Sequence, residues 1–236
     1  MSKKPKAVTT WSSGTRGRPS RKEEGEITEA ILEVATRLFL TSGYEATSMN
    51  RIGKEAKVAA NTLYARFSNK AELFSAVVTA KVEVWKVNKP VPRHAQGATL
   101  QDVLEACALN MLEAGSQDDV AAFGRLLGWE GKTFPELTRI YGETAMKVGE
   151  AETLDQMINA SDASLTREDA AHLHKTLKEC VVGHASLMVF DENGNSAAEL
   201  PGIARRMAKM LAHGWTRSEG AKAPAIEPNS APAGQG

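Results

Sequence analysis

Cysteine is almost missing from this chain. Cys107 and Cys180 are the two in 236 residues, too few for a disulfide framework and suited to a reducing compartment. No long apolar run is present: the weakly polar stretch Cys180–Phe190 spans 11 residues, against the roughly 20 that a membrane helix needs. The leading Lys3, Lys4 and Lys6 run into Thr and Ser rather than an apolar segment, so no secretory signal is expected. Nucleophile elbow, glycine-rich phosphate loop, dinucleotide fingerprint and paired metal-ligand motifs are all lacking. A cytoplasmic non-enzyme without cofactor, metal or membrane partner is expected.

Charge of one sign is also lacking overall, with 29 Lys+Arg against 29 Asp+Glu, but the balance is uneven. Residues 1–90 hold 16 basic and 9 acidic side chains, and the remainder holds 13 and 20. The N-terminal third therefore faces polyanions, and its first 22 residues carry seven basic groups and no acid. Residues 1–22 are too poor in apolar side chains to fold alone and read as a flexible basic arm, and 218–236 as a disordered tail. Pro90 and Pro92 interrupt the helical pattern. A helix-turn-helix domain over 23–86 and a helical domain over 87–217 are expected between these breaks.

The period of the apolar residues is helical almost everywhere. Ile27, Ile31, Val34, Ala35, Leu38 and Phe39 form one face, stopped by Gly43. Thr47 or Ser48 caps a short helix with Met49, Ile52 and Ala56, and another holds Leu63, Tyr64 and Phe67. Asn69 with Glu72 opens a fourth, and Thr99-x-x-Asp102 and Thr166-x-x-Asp169 open two more. Further segments fall near 118–130, 135–159 and 200–213. No stretch alternates with period two. The expected fold is all-α, with about nine helices.

Function is concentrated in Ser48–Phe67. Two short helices locked by Ile52, Ala56, Val58 and Leu63 make a helix-turn-helix, whose second helix suits the DNA major groove. Ala59, Ala60, Asn61, Tyr64 and Ala65 would face outward. Asn61 suits an adenine edge and the alanines suit thymine methyl groups. Thr47, Ser48, Arg51, Lys57, Tyr64 and Lys70 are expected phosphate anchors, which position without reading sequence. In the arm, Arg16 and Arg18 lie in Arg-Gly-Arg-Pro, which resembles the core of an AT-hook that lies in a narrow minor groove.

Residues 26–74, with Phe39, Gly43-Tyr44, Thr47-Ser48, Ile52, Ala56, Val58, Thr62-Leu63-Tyr64, Phe67 and Asn69-Lys70-x-x-Leu73, closely resemble the DNA-binding domain of the tetracycline-repressor (TetR/AcrR) family. The stretch Trp129…Phe134-Pro135-Glu136-Leu137 resembles one C-terminal subfamily. The resemblance implies a homodimeric bacterial transcription factor, mostly a repressor, on a double-stranded DNA operator. It adds Thr62 to the DNA-facing set. It also implies a small apolar or amphipathic effector, and a dimer interface on the last two helices. This chain departs from the family pattern at Lys57 (commonly Gly), Ala59 (Ser or Thr), Asn61 (Gly) and Arg66 (Tyr or His).

Trp85, Met111, Trp129, Met146 and Met157 are the expected pocket walls. Cys180, His184, Leu187, Ala204, Ala208 and Leu211 are the expected dimer contacts. Cys180 and His184, one turn apart with His172 and His174 nearby, fit packing or an interface better than a zinc site, which needs three or four ligands. An architectural A·T-rich DNA-binding protein without effector is the rival reading.

Overall fold

The apolar face that begins at Ile27 is the inner side of a 22-residue helix, α1 (Arg21–Ser42), with Ile31, Ala35, Leu38 and Phe39 buried. It ends at Gly43, whose φ of 91° only glycine adopts without strain. In the computed structural model, which describes residues 21–88, 92–94, 97–187 and 198–218, nine further α-helices follow. They are α2 (Met49–Glu55), α3 (Ala60–Tyr64), α4 (Lys70–Asn88), α5 (Leu100–Gly115), α6 (Asp118–Glu130), α7 (Pro135–Thr144), α8 (Glu150–Ile158), α9 (Arg167–Leu187) and α10 (Leu200–Ser218). No strand occurs among the described residues.

The single helix expected over 135–159 is two. After α7 a 3-10 turn, Ala145–Lys147, runs into extended Val148 (ψ 123°) and Gly149 at φ 69°, and α8 starts afresh. The left-handed glycine interrupts an apolar pattern that otherwise reads straight through.

The helices form two compact units, and the chain enters the first one twice. The described residues up to 88 join with Ala114–Glu150, and those between 92 and 113 join with the described residues from Ala151 onward. The boundary therefore does not fall at one point near residue 86. In the first unit α1, α2, α3, α4, α6 and α7 enclose a core of Leu38, Phe39, Ile52, Leu63, Phe74, Val78, Phe123 and Leu137. Aromatic residues make up only 6% of the chain, yet many meet here. Phe39, Tyr44, Phe74, Phe123, Phe134, Tyr141 and Trp85 are linked by ring contacts of 5.3–6.2 Å, mostly edge-on.

The second unit packs α5, α8, α9 and α10 around Leu104, Ala108, Met157, Ala170, Leu177, Ala204 and Ala208. Both of its expected capping boxes form. Thr99 N donates to Asp102 Oδ2 at 2.9 Å and Asp102 N returns to Thr99 Oγ1 at 3.2 Å. Thr166 and Asp169 repeat the pattern at 2.9 and 3.2 Å. At α4, Asn69 Oδ1 takes the Glu72 N–H at 2.9 Å, and Glu72 reaches back to the Ser68 N–H at 2.8 Å.

The threonine hydroxyls, and then the threonine N–H groups, hold the Asp102 and Asp169 carboxyls below their usual range. A depressed folded-state pKa contributes stability above the ordinary carboxylate value and loses it as pH falls through and below that value, about 3.9 for Asp. Asp169→Asn should therefore lower the thermal midpoint at pH 7. The gap from the wild type should shrink on acidification to pH 3, read by circular-dichroism melts at both pH values.

Candidate nucleic-acid interface

Of the two capping hydroxyls, Ser48 does the capping: with φ −102° and ψ 152° it accepts the Arg51 N–H at 3.2 Å. Met49, Ile52 and Gly53 turn inward. α2 closes with two paired backbone bonds, Val58 N to Gly53 O at 2.9 Å and Lys57 N to Lys54 O at 3.3 Å. That double bond is the Schellman pattern, whose C′ position is left-handed. Here C′ is Lys57, at φ 56° the non-glycine residue with positive φ among the described residues. Glycine adopts this conformation freely, and a lysine there carries strain.

α3 follows after Ala59, extended at φ −61° and ψ 143°, with no side-chain cap. The helix has five residues and one buried anchor, Leu63, which is 1% exposed. A Cβ on Gly53 would lie 3.4 Å from Leu63 Cδ2 and 3.3 Å from Val58 O, so the two helices nearly touch. Burial of Leu63 leaves Ala59, Ala60, Asn61, Tyr64 and Ala65 exposed and Thr62 half-buried. Tyr64 is 46% exposed, a large ring with little of the interior against it.

The cations around this face are partly engaged. Arg51 Nε bonds Glu55 at 3.1 Å, and Arg37 of α1 pairs with the other Glu55 oxygen. Arg37 first, and then Arg51, hold the Glu55 carboxyl below its usual range. Nothing in the sequence pointed to Arg37, because 18 positions separate it from Glu55. Arg66 donates to Thr28 Oγ1 and to Thr62 O, both at 3.3 Å, tying the end of α3 to α1. Lys57 and Ser48 are exposed.

Two expected anchors are placed otherwise. Thr47 is fully buried, and its hydroxyl donates to Gly43 O at 2.7 Å and lies 3.3 Å from Leu38 O. It braces the loop and has no surface for a phosphate. Lys70 Nζ donates to Tyr44 O at 2.7 Å and Glu45 O at 3.4 Å, and lies 4.2 Å from the Tyr44 ring centre. Its position in the first turn of α4 is explained by that loop before any phosphate is invoked. Desolvation lowers its pKa, against the pull of Glu130, Glu45 and Glu136. From the far side of the same loop, Glu130 takes the Tyr44 N–H at 3.0 Å and the Glu45 N–H at 2.7 Å. Arg16 and Arg18 lie outside the described residues.

The expected pocket walls do not converge in one unit. Met157 is fully buried in the second core, with Met111 packed against it. In the first unit, Trp85 is half-buried and donates to Asp119 at 3.2 Å, and Met146 is half-buried. Trp129 is 84% exposed, because the inward stripe of α6 runs through Phe123, Leu126 and Leu127. Of the expected dimer contacts, Ala204 and Ala208 are fully buried inside their own unit, which removes them from any contact with a second copy. Cys180 is exposed, and His184 and Leu211 are half-buried. The Leu187 side chain lies outside the described residues.

Residues 31–77 match the family model of bacterial regulatory proteins, tetR family. That segment, from α1 into α4, is thus similar to the tetR-family helix-turn-helix. An HTH-type transcriptional regulator of Bacillus subtilis, YhgD, is 43% identical over 56 residues, 24% of this chain and 29% of the relative. The chain thus matches less than a third of that relative's length. The crystal structure of a TetR-family regulator from Mesorhizobium loti is similar over 83% of this chain and 98% of the other, with TM-score 0.63 and 20% identity. The flavonoid-responsive regulator FrrA is 25% identical with TM-score 0.65, over 80% and 97% of the two chains. Among the described residues, no helix is long and apolar enough to cross a membrane.

Relief of the left-handed strain gives a test of the turn. Lys57→Gly should raise the unfolding free energy by about 1 kcal/mol, read by chemical denaturation, whereas Lys57→Val should lower it.

Proposed function

We propose that the chain is a sequence-specific transcriptional regulator, a repressor that binds a pseudo-palindromic operator as a homodimer and releases it on binding a small apolar or amphipathic effector. The observation that carries the reading is the outward face of α3. A five-residue helix holds Leu63 inside while Asn61, Tyr64 and three alanines lie exposed. A surface that spends so little on the protein's own packing fits a major groove about 12 Å wide. Asn61 reads an adenine edge, Ala60 and Ala65 meet thymine methyls, and Tyr64, Ser48, Arg51 and Lys57 hold phosphates.

Two recognition helices reach successive grooves only about 34 Å apart or at a multiple of that, which calls for a symmetric dimer. In our reading α9 and α10 supply the interface. Val182, 49% exposed, and Met210, 75% exposed, are apolar side chains there that a second copy would cover. The effector is proposed from the family and from the similarity to FrrA, whose name makes that protein flavonoid-responsive. An effector acts by preferring one arrangement of the dimer, with a coupling of about 1–3 kcal/mol. The basic arm with Arg16 and Arg18 adds affinity from the minor groove, and the protein works in the cytoplasm on the nucleoid.

Selection from a random duplex pool should return a palindromic site. Tyr64→Ala should weaken binding to it by more than about tenfold with the melting curve unchanged, and Asn61→Ala should relax specificity at one base pair by about 1–3 kcal/mol. Affinity should fall steeply with salt. Equal binding to every A·T-rich duplex would instead favour an architectural protein.

A further inference from the structure

The stretch around Trp129–Leu137, which resembles one C-terminal subfamily, is left without a task by the DNA-reading face. Its place in the first unit gives it one. α6 ends at Gly131, where a Cβ would collide with Leu127 O at 2.4 Å and Thr138 Cγ2 at 2.5 Å. Pro135 then starts α7. This corner carries Glu130, Phe134 and Glu136 to the loop that leads into α2. Phe134 packs on the Tyr44 ring at 5.3 Å, and Glu136 lies 3.5 Å from the Tyr44 hydroxyl.

The loop itself has few bonds of its own. Tyr44 and Glu45 have N–H groups that no helix receives, and Glu130 takes one on each carboxylate oxygen. Lys70 donates to the carbonyls of the same two residues from the opposite side. A Cβ on Gly43 would sit 2.4 Å from Glu130 Oε1, so the carboxylate approaches as closely as a glycine permits. Two charged groups, 25 to 86 positions away in sequence, thus hold both faces of one peptide turn. Three residues beyond that turn Ser48 caps α2, and α2 carries α3.

We propose that Glu130 is a positioning residue for DNA binding: by clasping the Tyr44 and Glu45 N–H groups it sets the orientation in which α2 and α3 meet the groove. This role rests on the operator-binding reading above. Glu130 is not part of the exposed face of α3, so it acts through the loop. The sign of its effect separates positioning from electrostatics. Removing an acidic side chain near a polyanion strengthens binding by charge alone. Loss of the clasp weakens it, because hydrogen bonds to a charged acceptor are among the stronger ones.

The experiment uses the full chain and the duplex that the wild type selects from a random pool. Glu130→Ala, Glu130→Gln and the charge-preserving Glu130→Asp, too short to reach both amides, are compared by titration, melting and amide exchange. Binding to the selected duplex should fall about tenfold for Ala and Asp and less for Gln. Binding to random-sequence DNA at low salt should stay equal or tighten for Ala. Amides of residues 43–47 should exchange faster while those of Ile31–Phe39 stay protected. Should Glu130→Ala not fold, Asp and Gln carry the comparison. Unchanged or tighter specific binding in the folded variants, or unchanged exchange over 43–47, overturns the role of Glu130 alone. A wild type that selects no duplex overturns the operator-binding reading and this role with it.

Discussion

The burial of Leu63 is the interaction that the exposed face of α3 depends on. A helix of five residues has no stability of its own, because nucleation costs more than so few hydrogen bonds return. α3 exists because Leu63 is buried, a contribution of about 2 kcal/mol. The paired bonds of the turn, from Lys57 and Val58 back to Lys54 and Gly53, hold the second helix at a fixed angle to the first. Every exposed side chain on α3 takes its direction from that one inward leucine.

Charge near this surface works at two ranges. The excess of basic groups in residues 1–90, 16 against 9 acidic, sets a long-range field. At contact range the positive groups have separate tasks. Arg37 and Arg51 share Glu55, Arg66 fastens α3 to α1, and Lys70 holds the entry loop. The exposed ion pairs at Glu55 contribute little to stability. They do hold the side chains in place before any ligand arrives, which lowers the ordering cost of binding.

The first unit is not the N-terminal domain alone. α6 and α7, far along the chain, complete its core through Phe123, Leu126, Leu137 and Ile140. Tyr44 is where the two parts meet most closely, its ring against Phe39, Phe74 and Phe134 and its N–H on Glu130. Burial, followed by the nearby Glu136, pushes the Tyr44 phenol up to about 12. A small helix-turn-helix has too little apolar surface to stand alone comfortably, and the returning segment supplies it.

Helical periodicity, capping boxes and turn glycines are local, and the sequence by itself determined the helices, the caps at Thr99 and Thr166, the stop at Gly43 and the outward set Ala60, Asn61, Tyr64 and Ala65. The same pattern ran through Gly149 without revealing the break there, since a left-handed backbone leaves no mark on apolar spacing. The fate of polar groups was the least legible. Thr47 and Lys70 read as surface anchors, and Glu130 read as nothing in particular, because their partners lie on other elements. Ala204 and Ala208 read as interface residues, since a small-residue stripe looks alike whether its neighbour belongs to the same chain or another. Tertiary structure alone decided those assignments. A hydrogen bond or buried methyl group depends on which atoms arrive within a few ångströms, and spacing along one helix holds no record of the element packed against it.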